Sequence, residues 1–112
     1  MKRLIIAITG ASGAIYGIRA LQVLQAAEAI ETHVVISPSA QYTIAEETDM
    51  PVDDIKALAD QVHSFKDIGA SLSSGSYPTL GMLIAPCSIK TLSGIANCYD
   101  DNLIVRAADV CL

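Results

Sequence analysis

Three short aliphatic runs, Leu4–Thr9, His33–Ser37 and Met82–Ala85, each end in small or polar residues and are each followed by a stretch with helical periodicity. That alternation constrains the chain more than any other feature. Strands buried on both faces read as continuous aliphatic runs, and a helix between two of them brings the chain back to start the next strand in parallel. The expected fold class is therefore α/β, with a doubly wound parallel sheet. At 112 residues there is room for one core and one domain.

Composition removes several classes of function. Hydrophobic residues make up 52% of the chain and charged residues 17%, which excludes a disordered segment. A net charge of −5 leaves no basic surplus to neutralise phosphates, so no nucleic-acid partner is expected. The longest uncharged run, 68–89, is broken by five Ser, three Gly and two Pro, so no membrane span is expected either. Lys2 and Arg3 precede an apolar stretch, but Leu4–Ile8 is short for a secretory signal. Cys87, Cys98 and Cys111 are odd in number and form no C-x-x-C pair, which fits reduced thiols in a cytoplasmic protein. His33 and His63 have no ligand partners at metal spacing, so no metal is expected.

Ile15, Ile18, Leu21 and Leu24 place one face of a helix on the sheet after the first strand. Ser37 and Pro38 suit the cap and first position of a second helix. A third is expected after Pro51, with Ile55, Leu58 and Val62 on one side. Ser88 caps a fourth running to about Ala96, and a last helix begins near Asp101 or Asn102. Three strands make a thin sheet, and Ala107–Leu112 stops inside an apolar helical pattern without a Gly or Pro stop. Residues 1–112 are accordingly expected to be a single domain forming the N-terminal part of a longer fold, incomplete at the C-terminus.

Chemistry-bearing residues gather where strands give way to helices. The turn Thr9-Gly10-Ala11-Ser12-Gly13-Ala14 lets a backbone approach a ligand or simply turns tightly; it is neither G-x-G-x-x-G nor a P-loop. Ser37 offers a hydroxyl at the second helix start, and Ser88, Lys90 and Thr91 offer two hydroxyls and a cation at the fourth. Open α/β sheets bind ligands at such carboxyl ends, so three converging sites outweigh any one. The loop 71–77 is a weaker candidate. Cys87 is a nucleophile at a helix start or a packed thiol. Glu46, Glu47 and Asp49 form a solvated face or supply a proton donor or acceptor. Arg106 pairs with a carboxylate such as Asp109 or faces an anion.

The segments T-G-A-S-G-A-I-Y-G at 9–17, Ser37, E-T-D at 47–49, S-S-G-S at 73–76, P-C-S-I-K-T-L-S-G-I at 86–95 and R-A-A-D-V at 106–110 together resemble the UbiX family, the flavin prenyltransferases. These were formerly described as aromatic-acid or polyprenyl-hydroxybenzoate decarboxylases. The resemblance implies a Rossmann-like, flavodoxin-like flavoprotein domain in a homo-oligomer, a dodecamer of trimers. It implies transfer of a dimethylallyl group from dimethylallyl monophosphate to reduced FMN without a metal. The prenylated FMN then serves UbiD-type decarboxylases in ubiquinone biosynthesis or aromatic-acid decarboxylation. By the same resemblance, FMN contacts fall on Gly10, Ala11, Ser12, Ser37, Ser88, Ile89, Lys90 and Thr91. Catalytic roles fall on Glu47, Ser12 and Arg106, the last beside the prenyl-donor phosphate. Pro38 stands where relatives carry a basic residue, and the relatives' later strands and prenyl-phosphate ligands lie beyond Leu112. Two other readings share the features: an FMN-dependent cysteine-decarboxylase type of enzyme, and a non-catalytic FMN-binding module.

Overall fold

The computed structural model describes residues 2–112. Its centre is a four-stranded, wholly parallel sheet in the order β3-β2-β1-β4, from β1 (Lys2–Ile8), β2 (Ile30–Ile36), β3 (Gln61–His63) and β4 (Gly81–Ile84). Two aligned ladders flank β1: Ile6 stands opposite Val34 on one side and Leu83 on the other. Being central, β1 and β2 bury both faces, which is why their sequences are aliphatic without alternation.

Helices cover the two faces separately. On one face, α1 (Ala14–Gln25), α2 (Pro38–Glu47) and α3 (Val52–Lys56) pack Ile18, Leu21, Ile44 and Ile55 against Ile6, Ile8, Val34 and Ile36. On the other, α5 (Leu103–Cys111) and a single 3₁₀ turn at Ser71–Ser73 pack Leu103, Ile104, Ala107 and Leu72 against Ile5, Ala7 and Val35. Helix α4 (Ile89–Ala96) leans on α5 and buries none of its own residues. The result is the doubly wound, flavodoxin-like arrangement expected, with the chain reversing its direction of travel across the sheet between β1 and β4.

Three expectations change. There are four strands, because β3 is a strand of only three residues and Val62 lies in it, 47% exposed, instead of on a helix face. Helix α3 stops at Lys56, and Asp60 then accepts from Thr32 N–H at 2.8 Å, which aligns the chain for β3. Ile15 points outward; the buried stripe of α1 is Ala14, Gly17, Ile18 and Leu21. Among the described residues, no helix is long and apolar enough to cross a membrane.

Candidate functional site

The strand ends meet in a cavity of about 640 Å³. Its polar end is built by Ser37 and Ser39 from the β2–α2 junction and by Ser88, Lys90 and Thr91 from the β4–α4 junction. Phe65, Gly94, Tyr99 and Val105 supply the apolar walls. Both serine caps form as their positions require. Ser37 Oγ accepts from Ala40 N–H at 3.1 Å and Ser88 Oγ accepts from Thr91 N–H at 3.2 Å. The Ser88 hydroxyl also donates to Thr91 Oγ1 at 2.9 Å. The first N–H groups of each helix have no intrahelical acceptor, so the cavity receives free donors as well as hydroxyls.

Thr9 sets the width of this crevice. Its hydroxyl donates to Pro86 O at 2.6 Å and accepts from Ser88 N–H at 2.7 Å, while Thr9 N–H donates to Pro86 O at 3.2 Å. A side chain 1% exposed at the end of β1 thus holds the β4–α4 loop, which turns through a cis Ala85–Pro86 bond. The sequence marks Thr9 only as the first residue of the glycine turn.

In the glycine turn, the N–H donors at the start of α1 find their acceptor within the chain. Gly13 caps α1 at φ 104°, a left-handed conformation that favours glycine. Gly17 lets α1 lie against the strands: a Cβ there would collide with Ala85 O and with Ile8 Cγ1. The N–H groups of Gly13 and Ala14 both donate to Glu47 Oε1 at 3.0 Å, and Ser12 Oγ donates to Glu47 Oε2 at 2.8 Å. These bonds, the one from Ser12 foremost, hold the Glu47 carboxyl below its ordinary pKa. Gly10, Ser12, Tyr42, Thr43, Glu46 and Glu47 line a second, smaller hollow. The two hollows adjoin where Gly10 meets Ser39, whose Oγ would lie 2.5 Å from a Cβ on residue 10.

The site residues named from sequence therefore separate into groups. Ser37, Ser88, Lys90 and Thr91 share one cavity, and Gly10, Ser12 and Glu47 share its neighbour. Ala11 sits in the glycine turn, and Ile89, 81% exposed, lines neither hollow. Arg106 lines neither; its Nη1 lies 3.2 Å from Oδ2 of Asp100, so its carboxylate partner is Asp100 and not Asp109. Asp109 is in turn pushed upward in pKa, chiefly by Asp100. The loop 71–77 lies away from the crevice, with Leu72, Gly75 and Tyr77 lining a hollow beside the start of β4. Burial raises the Cys87 thiol pKa, which favours the packed-thiol reading over a thiolate nucleophile. Sequence reasoning missed Ser39, Phe65, Tyr99 and Val105, which reach the cavity only through tertiary folding.

The sequence model of one family, described as Flavoprotein, matches residues 1–112. The flavin prenyltransferase UbiX of Salmonella typhimurium is 59% identical over 112 residues, which is 100% of this chain and 59% of that protein. The chain thus spans 59% of the length of that curated relative. Among solved structures, AnUbiX in complex with FMN and dimethylallyl pyrophosphate superposes with a TM-score of 0.95 at 46% identity, covering 97% of this chain and 57% of that one. A dodecameric FMN-dependent Ubix-like decarboxylase from Escherichia coli O157:H7 gives the same TM-score, 0.95, at 48% identity, covering 96% and 58%. With its whole described length matched, its parallel doubly wound sheet and its crevice at the strand ends, the chain belongs to the flavoprotein family and is similar within it to the UbiX flavin prenyltransferases.

Proposed function

We propose that the larger cavity binds FMN and that the protein is a flavin prenyltransferase, moving a dimethylallyl group from dimethylallyl monophosphate to reduced FMN. The observation that carries this reading is the convergence of Ser37, Ser88, Lys90 and Thr91 at one end of a single crevice with apolar walls. The residues fit the group. About 640 Å³ lies within the range of about 300–1,000 Å³ usual for small-molecule sites, and a phosphate would meet hydroxyls, helix N-termini and one ammonium. Reduced FMN, when bound, supplies the electron-rich ring that accepts the allylic carbon.

The chain's own residues would do the rest. Ser37, Ser88 and Thr91 hold the cofactor phosphate, with Lys90 balancing its charge. Gly10 and Ala11 let the backbone approach the ring edge. Ser12 and Glu47 form a hydrogen-bonded pair in the adjoining hollow, where an ionised carboxylate favours the positive charge that develops on an allylic group as its phosphate leaves. Arg106, placed beside the donor phosphate only by the resemblance, pairs with Asp100 and lines neither hollow. The apolar walls keep water from the reacting carbon. The product passes to a UbiD-type decarboxylase in the cytoplasm, a setting supported by three free cysteines. Homo-oligomeric assembly is part of the same reading, supported by the dodecameric relative.

A flavin-fluorescence titration tests the binding. Saturable quenching near one FMN per chain is expected; no quenching up to millimolar FMN would overturn the reading. Incubation with reduced FMN and dimethylallyl monophosphate then tests the transfer, read as flavin carrying the added C5 unit by mass spectrometry.

A further inference from the structure

Among the described residues His33 is the only buried ionisable side chain, 1% exposed in β2, and the proposed reaction does not use it. Its two ring nitrogens are both engaged. Nε2 lies 2.7 Å from Glu31 Oε1, and Nδ1 lies 2.8 Å from Nε2 of His63, the last residue of β3. The two rings stack with centroids 5.1 Å apart. Strand β3 has little else to hold it: it is three residues at the sheet edge, pairs with β2 alone, and leaves Gln61 and Val62 exposed. Just before it Asp60 bonds to Thr32, and just after it Phe65 O accepts from Leu103 N–H at 2.9 Å. The histidine bond joins the middle of this span to the sheet.

That bond needs one hydrogen and one lone pair. Glu31 only accepts, so a neutral His33 carries its hydrogen on Nε2, and its Nδ1 accepts from His63 Nε2–H. One added proton goes to Nδ1 of His63 and leaves the bond as it was. A second has only Nδ1 of His33 left to bind, where it sets N–H against N–H across 2.8 Å. The surrounding charges do not favour two cations. Glu31 shares the oxygen facing His33 with Arg3 Nε at 3.8 Å. Asp67, on the loop after β3, favours a charged His63, while Lys56 and Lys66 line the same hollow as His63 and oppose one. Tyr77 meets His33 edge-on at 5.9 Å, with Arg3 4.0 Å above its ring, and α5 and the 3₁₀ turn cover this face with Leu72, Leu103 and Ile104.

We propose that His33 and His63 form an acid-sensitive latch: the pair holds β3 on β2 while it carries no more than one added proton, and releases the strand on taking up the second. The two rings titrate as a unit, in two steps, and only the second is coupled to opening. Release unpairs one edge of β2 and loosens the chain next to Phe65, a wall of the larger cavity, whatever ligand that cavity holds.

NMR of the imidazole nitrogens, with amide hydrogen exchange measured on the same samples between about pH 7.5 and pH 4.5, tests the latch. Below the second titration step, the opening constant of the protected β3 amides (61–63), corrected for intrinsic exchange, should rise about tenfold per pH unit, as uptake of one proton requires. The amides of β1 should not follow. In His63→Gln, whose side-chain amide can donate to His33 Nδ1 but carries no proton of its own, the rise should vanish. Two imidazolium rings with β3 still protected would overturn the proposal. So would an equally steep rise in His63→Gln, which would assign the opening to Glu31, Asp60 or Asp67. The parent titration decides the first point even if the variant folds poorly.

Discussion

His33 and His63 form one hydrogen-bonded pair across β2 and β3, with Nδ1 of His33 2.8 Å from Nε2 of His63 and the ring centroids 5.1 Å apart. The other nitrogen of His33, Nε2, lies 2.7 Å from Glu31 Oε1, and Arg3 Nε lies 3.8 Å from the same carboxylate oxygen. A carboxylate only accepts, so His33 donates from Nε2, and when the ring is neutral its Nδ1 then accepts from His63 Nε2–H. With the side chain of His33 2% exposed, this is how its polar atoms are satisfied. Burial, and then the neighbouring His33, lower the His63 pKa from its ordinary value; Asp67 opposes them.

The sign of the pH effect follows. The unfolded chain takes up a proton at His63 near the ordinary pKa of about 6.5, before the folded chain does. Stability is therefore lost as pH falls through that value toward the lower folded one. Urea midpoints at about pH 7.5 and about pH 5.5 should differ, and His63→Gln should shrink that difference. Equal pH sensitivity in the parent and the variant would contradict the assignment.

Replacing Thr9 by Val keeps the shape and removes both hydroxyl bonds, leaving Ser88 N–H without that acceptor. A loss of about 1–3 kcal/mol is expected by urea unfolding, and Thr9→Ser should recover most of it. A Thr9→Val protein as stable as the parent would show that the loop is held by other contacts.

Ser37→Ala removes the cap on Ala40 N–H and one hydroxyl of the phosphate pole. Stability should fall by about 1 kcal/mol, and FMN should bind about tenfold or more weakly. Riboflavin, which has no phosphate, should lose little affinity. Equal weakening for both flavins would place the phosphate elsewhere.

Gly17→Ala pushes a methyl toward Ala85 O and Ile8 Cγ1. Because both neighbours belong to the sheet side of the packing, a cost of about 1–3 kcal/mol is expected in thermal or urea unfolding. A neutral effect would mean that α1 can move off β1 and β4 freely.

Legibility from sequence followed the range of the interactions. The aliphatic runs marked β1 and β2 because each is buried between neighbours on both sides, and they marked β4 as well although it is an edge strand with Leu83 44% exposed. Ser37, Ser88 and Asn102 were readable as caps because a cap acts within three residues, and each accepts the expected backbone bond. Strand β3 was not readable: three residues at an edge carry no period, and Val62 fitted a helical spacing from Ile55 and Leu58 equally well. The role of Glu47 at the α1 N-terminus was hidden for the same reason, since nothing near Ser12 in sequence announces a carboxylate 35 positions on. Phe65 joined the cavity wall because β3 carries it there and its carbonyl accepts Leu103 N–H at 2.9 Å.

Helix α4 carries Lys90 and Thr91 yet buries none of its eight residues. A segment so short is not stable by itself, so its order is borrowed from the Ser88 cap, from Gly94 lying against Val105, and from whatever fills the crevice. A ligand in the crevice would add contacts to α4 and so stabilise it against local opening. The amides of this helix should exchange with solvent hydrogen through local opening, and their protection should rise with ligand concentration by mass action, while those of β1 answer only to unfolding of the whole chain. The wall of the crevice thus doubles as a gauge of what the crevice contains.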